Sequence, residues 1–309
     1  MNRREVLKYL SMLSVAQFNF PLSSFAATDD KKKLELLTKI IPSTGEKIPA
    51  VGMGTWITFN IGQSKNLLEE RAQVLKKFFE LGGTLIDSSP MYGSSEKVVG
   101  ELLEKLNKTD EAFCATKIWT SNDDEGKEQF KTSQKLWGVD KFELQQVHNL
   151  VNYDQHIKFL RAQKEQGKVK YIGITTSHGR RHDEIEKLLK KVPLDFVQLT
   201  YNLENSHADK KLLDLAQEKK VAVIANRPFG GGSLIDRLQR RPLPAWAKEV
   251  GIKTWADFLL KYIISHPAIT CAIPATTKVE HMQENMMAAH GEYVDEKMRI
   301  KMKEYFLKL

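Results

Sequence analysis

Four polar side chains stand at or just beyond the ends of short segments of strand length, and their types suit proton transfer to a carbonyl group. Asp87 ends the run "TLID", Lys117 ends "AFCATK" and His148 ends "ELQQVH". Tyr92 follows five positions after Asp87, in the stretch "PMYGSSE". Segments of this length that are apolar throughout or at alternate positions are typical of strands. The sequence therefore places all four residues where strands open into loops, which is where a pocket can form.

The four residue types complement one another chemically. A tyrosine has a pKa of about 10 and is a weak acid near neutrality unless its anion is stabilised. The ammonium of Lys117 would stabilise a Tyr92 phenolate, and Asp87 would keep that ammonium charged and oriented. A neutral His148 could donate a hydrogen bond to a carbonyl oxygen. Together they would protonate a carbonyl oxygen while another group delivers hydride to the carbon.

Each residue also has a simpler interpretation when it is taken alone. Asp87 could cap the following helix, Lys117 could be a solvated strand end, and His148 could be a core histidine with satisfied hydrogen bonds. These separate interpretations do not explain why proton-active groups recur at corresponding positions. A shared catalytic site explains all the positions at once.

The residues belong to a repeating alternation of strands and helices that has no break in composition. A short hairpin is predicted first, with its turn at residues 43–47. Counting "AVGMGT" as the first strand, eight strand–helix units follow. The predicted helices cover residues 67–81, 94–107, 123–137, 154–166, 181–191, 207–219, 252–265, 278–289 and 294–307. Repeated units at this spacing require a parallel sheet.

A closed barrel explains this alternation better than an open sheet. An open doubly wound sheet would carry a G-x-G-x-x-G turn between its first strand and a helix. The stretch "VGMGTW" supplies only G-x-G, and no helix is predicted to begin there. Eight units without a reversal favour closure. We therefore predict a single α/β domain over residues 34–309, a (β/α)8 TIM barrel with an N-terminal β-hairpin and a short C-terminal helix.

Asp87, Tyr92, Lys117 and His148 match, in order and approximate spacing, the Asp-Tyr-Lys-His tetrad of the aldo-keto reductase superfamily. The chain resembles that family from about residue 36 to residue 287. Further matching stretches are residues 85–103 and the segments "GMGTW", "ATKIW", "QVHN", "YIGIT", "VQLTYN" and "IPATTKVEHMQEN". The resemblance implies a barrel that binds NAD(P)H without a Rossmann domain, a tyrosine general acid, and reduction of a small-molecule carbonyl to an alcohol.

The resemblance also assigns cofactor contacts to the ends of the later strands. Residues at the nicotinamide amide would be Thr175, Thr176 and Gln198. The loop after the seventh barrel strand lies where barrels commonly bind phosphate. Its predicted contacts are Asn226, Pro228, Phe229, Gly230, Gly232 and Ser233. Contacts to the adenosine end would be Thr276, Thr277, Lys278, His281, Glu284 and Asn285.

The chain departs from the family's pattern in three places. Asn226 replaces an aromatic residue that often stacks on nicotinamide, Thr175–Thr176 replaces Ser-Asn, and Ala275 stands where a basic residue is often found. Lys278 and His281 remain as candidates for contact with a 2′-phosphate, at a helix start whose backbone NH groups favour anions. NADP(H) is therefore the expected cofactor, with NAD(H) as the alternative.

Large apolar side chains near the strand ends are predicted to form the substrate pocket. They are Trp56, Met91, Trp119 and Phe229, and ordinary packing under loops is the alternative interpretation. The C-terminal tail is short compared with family members that carry a long substrate loop, so the pocket is expected to be open.

The N-terminus differs from the rest of the chain. The pair Arg3–Arg4 precedes a mildly apolar stretch, and small residues surround Ala26. This resembles a twin-arginine export signal over residues 1–26, followed by a polar linker over residues 27–33. The apolar stretch is too short to cross a bilayer. We expect a periplasmic protein recognised by the export machinery, without integral membrane association. The alternative is an amphipathic N-terminal helix on a cytoplasmic protein.

Composition argues against other classes of protein. The formal net charge is +8, but the cations are scattered among acids and no aromatic-basic motif indicates nucleic-acid binding. Cys114 and Cys271 are the only cysteines and are interpreted as buried small hydrophobes. His178 and His182 are four residues apart, but no acidic or cysteine partner accompanies them, so no metal site is predicted.

Two functions from different classes stay open at this point. The first is an NADP(H)-dependent reductase of an aldehyde or ketone. The second is a regulatory or sensing module of the same fold that keeps the cofactor with little turnover. The complete tetrad favours the enzyme. A metal-dependent hydrolase or isomerase lacks its ligand cluster.

Overall fold

The structure is a computed structural model that describes residues 35–309. The predicted export signal and polar linker, residues 1–33, lie outside the described residues. The first described elements are β1 (Thr38–Ile40) and β2 (Lys47–Pro49), which pair antiparallel across a short turn. This is the hairpin that the sequence predicts.

The next eight strands form one parallel sheet in chain order. They are β3 (Met53–Gly54), β4 (Leu85–Asp87), β5 (Phe113–Ile118), β6 (Phe142–His148), β7 (Val169–Thr175), β8 (Phe196–Thr200), β9 (Ala222–Asn226) and β10 (Ile269–Ala272). Backbone hydrogen bonds join the last strand to the first: Gly52 donates to Ala272 and Ala272 donates to Ala50, each at 2.9 Å. The sheet therefore closes on itself, and the predicted (β/α)8 barrel is confirmed.

Helices follow the barrel strands and cover the outside of the sheet. They are α1 (Lys65–Glu80), α2 (Ser95–Leu106), α3 (Asp123–Trp137), α4 (Tyr153–Glu165), α5 (His182–Lys191), α6 (Leu212–Glu218), α7 (Ser233–Leu238), α8 (Trp255–Ile264), α9 (Val279–Met287) and α10 (Glu296–Phe306). The helix predicted at 207–219 is split, because a 3₁₀ turn at His207–Lys210 precedes α6. The short helix α7 was not predicted.

Helix α3 shows why the sequence indicates helix limits well where end signals are strong. The side chain of Asn122 accepts hydrogen bonds from the backbone NH groups of Asp124 and Glu125 at the start of the helix. Gly138 ends the helix in the left-handed conformation. Both are standard end signals, and the predicted limits of this helix agree with the observed ones.

The hairpin packs against the interior of the barrel. Ile41 and Ile48 are buried in the same apolar cluster as Tyr171 of β7. The hydroxyl groups of Tyr171 and Thr44 lie 2.7 Å apart, which ties the hairpin turn to the barrel. Tyr171 lies in the first half of its strand, so the hairpin covers the end of the barrel where the strands begin. The opposite end is left for a functional site.

Two further sequence interpretations can be compared with the structure. Cys114 and Cys271 are both buried and unpaired, in agreement with their interpretation as small hydrophobes. Within residues 35–309, no helix is both long enough and apolar enough to cross a membrane.

Candidate active site

The four predicted catalytic residues meet at the C-terminal end of the barrel. Asp87 is the last residue of β4, His148 is the last residue of β6, and Lys117 is the second-last residue of β5. Tyr92 ends a 3₁₀ turn, Pro90–Tyr92, that follows β4. These three strands are neighbours in the sheet. Because parallel strands end at the same edge, residues far apart in sequence come together there.

Asp87 and Lys117 form a buried ion pair. The Lys117 ammonium donates to Asp87 Oδ2 at 2.7 Å, and both side chains are almost completely shielded from solvent. The other carboxylate oxygen, Oδ1, accepts from the amide groups of Gln198 at 2.9 Å and Gln146 at 3.3 Å. A buried charge is tolerated when it is paired and hydrogen-bonded in this way. The pair is therefore held rigidly beneath the barrel mouth.

Burial and the charge of Lys117 act in opposite directions on the pKa of the Tyr92 phenol. Burial lowers the pKa of Lys117, but the charge of Asp87 raises it and the net shift is upward. Burial raises the pKa of Tyr92 and the charge of Lys117 lowers it, and the net shift is upward because burial has the larger effect. The Lys117 nitrogen lies 5.2 Å from the centre of the Tyr92 ring. Tyr92 is thus protonated at neutral pH, with a cation beside it that stabilises its anion.

His148 is a neutral imidazole packed against Tyr92. The two rings meet edge to face, with their centres 5.9 Å apart. Burial and the charge of Lys117 lower the pKa of His148 to about 2. Its Nδ1 atom lies 2.9 Å from the hydroxyl oxygen of Ser89. A neutral histidine in this position can donate one hydrogen bond to a ligand but does not act as an acid at neutral pH.

A cavity of about 350 Å³ opens above these groups. Asp87, Tyr92 and His148 line it, while Lys117 lies completely buried beneath them. Three of the predicted pocket residues, Trp56, Met91 and Phe229, also line the cavity, and Trp119 is not among the lining residues.

The predicted nicotinamide contacts form a hydrogen-bonded network that reaches the tetrad. Gln198 accepts from the Thr175 hydroxyl at 3.1 Å and from the Asn226 amide at 3.3 Å, besides donating to Asp87. The Asn226 amide also donates to the backbone oxygen of Thr176 at 2.8 Å. Thr175, Gln198 and Asn226 line the cavity. Asn226 thus makes this side of the cavity polar, at the position where the family often has an aromatic ring.

The backbone conformation of the loop after β9 requires glycine at three consecutive positions. Gly230, Gly231 and Gly232 all have positive φ angles, of 63°, 79° and 106°. Residues with a Cβ atom adopt such angles only with strain. The run is therefore a shaped turn, and the backbone NH groups of Gly230 and Gly232 donate within it, to the backbone oxygens of Arg227 at 2.9 Å and Phe229 at 3.0 Å. Of the other predicted contacts in this loop, Pro228 and Phe229 line the cavity together with Gly232.

The predicted adenosine contacts surround the start of α9, outside the cavity. Lys278 immediately precedes this helix, and no side chain caps the helix N-terminus. Lys278, Thr277 and His281 are exposed, whereas Thr276 is buried. Further along, Glu284 is half-buried and Asn285 is buried.

Sequence reasoning missed several residues of the site, and three of them contact its main side chains. Gln146 stands two positions before His148 in the same strand, so the alternation of strand side chains could have placed it on the same face. Arg227 lines the cavity, stacks on Trp56 with its guanidinium carbon 5.7 Å from the ring centre, and is the only cation in the stretch "NRPFGGGSL". Ser89 had no signal apart from its place between Asp87 and Tyr92.

Comparisons with known proteins agree with this geometry. The sequence matches the Aldo/keto reductase family over residues 50–302. It is 26% identical over 255 residues to a methylglyoxal reductase of Escherichia coli K12, covering 80% of this chain and 88% of that protein. It is 26% identical over 301 residues to an L-glyceraldehyde 3-phosphate reductase of the same strain, covering 80% and 86%. The structure resembles an aldo-keto reductase from Klebsiella pneumoniae in complex with NADPH, with a TM-score of 0.74, 21% identity, and coverage of 88% and 96%.

A closed parallel barrel with proton-active groups at the C-terminal ends of its strands has the arrangement of a barrel enzyme. The chain belongs to the aldo/keto reductase family, and it is an NAD(P)H-dependent oxidoreductase. Within residues 35–309, no group of three or more His, Cys, Asp or Glu side chains is arranged to hold a metal ion.

Proposed function

We propose that the protein reduces a small aldehyde or ketone to the alcohol, with NADP(H) as the hydride source and Tyr92 as the proton donor. The observation that carries this proposal is the buried Lys117–Asp87 ion pair, 2.7 Å long, next to the Tyr92 ring at the floor of the cavity. An ammonium held there lowers the cost of forming a phenolate. Family membership supports the same reaction.

The residues of this chain would orient the carbonyl and protonate it. The substrate oxygen would accept hydrogen bonds from the Tyr92 hydroxyl and the His148 imidazole. As negative charge develops on that oxygen, Tyr92 would transfer its proton and Lys117 would stabilise the resulting phenolate. Asp87 would keep the ammonium charged throughout. The reduced nicotinamide, when bound, supplies the hydride to the carbonyl carbon.

The described residues fit a nicotinamide dinucleotide. The Thr176 hydroxyl and the Asn285 amide nitrogen are buried and have no hydrogen-bond partner among residues 35–309. A buried polar atom without a partner is costly, and these two lie in the stretches assigned to the nicotinamide and to adenine. The Gly230–Gly232 turn would face the phosphates. Thr175, Gln198 and Asn226 would complete the nicotinamide end, and Lys278 and His281 would face a 2′-phosphate.

The substrate is expected to be small. A cavity of about 350 Å³ lies at the lower end of the usual range for ligand pockets. The relatives named above are a methylglyoxal reductase and an L-glyceraldehyde 3-phosphate reductase. Trp56, Met91 and Phe229 would supply apolar walls around a short carbonyl compound.

The purified protein should oxidise NADPH in the presence of short aldehydes and should bind NADPH more tightly than NADH. Lys278→Ala is expected to weaken NADPH binding by roughly tenfold, because a charge-assisted hydrogen bond to phosphate contributes about 1.5–3 kcal/mol and this residue is exposed. NADH binding should be almost unchanged. Both affinities can be measured by fluorescence titration.

Lys135→Ala is the matched control, since it removes an exposed lysine from α3, far along the chain from the cofactor segment. NADH bound more tightly than NADPH by the parent protein would contradict the cofactor preference. Cofactor retained through purification, together with no turnover on an aldehyde series, would contradict the reductase and indicate the sensing module.

We also propose that residues 1–26 direct export by the twin-arginine route. Support comes from the Arg3–Arg4 pair, the apolar stretch after it and the small residues around Ala26. Because that route moves folded proteins, a cofactor could be bound before export.

Protein from the periplasm of the native host should lack residues 1–26, which N-terminal sequencing would show. Replacing Arg3 and Arg4 by lysine keeps the charge and should leave the protein uncleaved in the cytoplasm. A chain that begins at Met1 in exported material, or one found exclusively in the cytoplasm, would refute the export proposal.

A further inference from the structure

The hydroxyl group of Ser89 contacts the Nδ1 atom of the His148 imidazole. Ser89 Oγ lies 2.9 Å from His148 Nδ1, and both residues are buried. The same oxygen accepts a hydrogen bond from the backbone NH of Met91 at 3.3 Å. Ser89 is thereby held at the start of the 3₁₀ turn that carries Tyr92.

Two arrangements of hydrogen are compatible with the distance between Ser89 and His148. In the first, the Ser89 hydroxyl donates to an unprotonated Nδ1. In the second, a protonated Nδ1 donates to the hydroxyl oxygen. That oxygen already accepts from Met91, so the second arrangement gives it two donors and leaves its own hydrogen in need of an acceptor.

In the first arrangement, the Ser89 hydroxyl hydrogen and His148 Nδ1 both have a hydrogen-bond partner. In the second, the Ser89 hydroxyl hydrogen has none. Among residues 35–309, Ser89 Oγ has no hydrogen-bond partners other than His148 and Met91. A buried hydroxyl hydrogen without an acceptor is costly, and Ser89 is completely buried. The hydrogen-bond geometry therefore favours donation from Ser89 to Nδ1.

We propose that Ser89 is a positioning residue that holds the imidazole of His148 in the tautomer protonated on Nε2. In that tautomer the ring presents an N–H donor to the cavity, as the reduction of a carbonyl requires. The role of the donor rests on the proposed function, whereas the tautomer itself does not. Within the described part of the chain, Nε2 makes no hydrogen bond, and His148 lines the cavity.

The electrostatic setting of His148 supports this role. Burial and the charge of Lys117 keep the ring neutral, with a pKa lowered to about 2. A neutral imidazole carries one proton, and the partner of one nitrogen decides which nitrogen holds it. The sequence alone did not indicate this, because serine and histidine lie 59 positions apart.

Nitrogen NMR of the cofactor-free full chain, labelled with ¹⁵N-histidine, distinguishes the two neutral tautomers directly. We expect the wild-type His148 to carry its proton on Nε2. Ser89→Ala should shift the ring toward the Nδ1-protonated tautomer and lower kcat for aldehyde reduction by about tenfold. The affinity for NADPH should stay within about twofold. Ser89→Thr, which keeps the hydroxyl, should restore the wild-type tautomer.

Ser88→Ala is the matched control for the spectrum. Ser88 is also buried, its hydroxyl has no partner among residues 35–309, and its contact with Lys117 is made by the backbone oxygen that alanine retains. The His148 spectrum of this variant should equal that of the wild type.

An Nδ1-protonated ring in the wild type, or an unchanged tautomer in folded Ser89→Ala, would overturn the proposal. If Ser89→Ala does not fold, the tautomer of His148 in the wild type tests the proposal by itself: protonation on Nε2 supports it and protonation on Nδ1 overturns it. A protein that reduces no aldehyde but shows the Nε2-protonated ring and its loss in Ser89→Ala would refute the proposed function and leave the tautomer assignment standing.

Discussion

Tyr92→Phe is expected to lower the rate of carbonyl reduction by about 10²–10⁴ while leaving NADPH affinity almost unchanged. The substitution removes the phenol oxygen that would donate the proton. It keeps the ring, which packs edge to face on His148 with the centres 5.9 Å apart. The pocket should therefore keep its shape. Steady-state oxidation of NADPH with an aldehyde that the parent reduces, together with a cofactor titration, measures both effects.

Tyr305→Phe on α10 is the control, because it removes a tyrosine hydroxyl that makes no hydrogen bond within residues 35–309 while the ring keeps its packing on Trp246. Its turnover should equal that of the wild type. Wild-type turnover in Tyr92→Phe would show that the assigned mechanism is wrong. Loss of NADPH binding along with turnover would instead give Tyr92 a structural role.

Lys117→Met is expected to abolish most of the reduction and also to destabilise the fold. The phenolate of Tyr92 would lose its cation, and Asp87 would be left as a buried carboxylate without its partner. Removing one member of a buried ion pair typically costs about 3–5 kcal/mol. Because the pKa of Lys117 is raised above its ordinary value of 10.5, the loss should be fully visible at neutral pH and should fade only in strongly alkaline solution.

The double variant Asp87→Asn with Lys117→Met separates the two effects. It removes both charges, so most of the lost free energy of unfolding should return while the reduction stays impaired. Denaturant unfolding at neutral pH and turnover on the same aldehyde provide the two measurements. If the single variant Lys117→Met has wild-type stability, the ion pair does not contribute to the free energy of unfolding, although its geometry implies that it should. Wild-type turnover would mean that the ammonium is not needed.

The order of strands and helices, and the positions of the tetrad, could be read from the sequence by itself. Both follow from local patterns: apolar runs of strand length, helical periodicity, and end signals such as Asn122 and Gly138 around α3. Because eight parallel strands of a barrel end on one side, Asp87, Lys117 and His148 had to share that side once the alternation was recognised.

Only the tertiary structure decided which groups touch at the barrel mouth. Asp87 receives hydrogen bonds from Gln146 and Gln198, which lie 59 and 111 positions away in the chain. The tertiary structure likewise decided that Trp119 does not line the cavity and that Ser89 contacts His148. Such contacts depend on the closure and register of the barrel and on the path of its loops. Local sequence patterns record which face a side chain occupies, but they do not record its partner across the barrel.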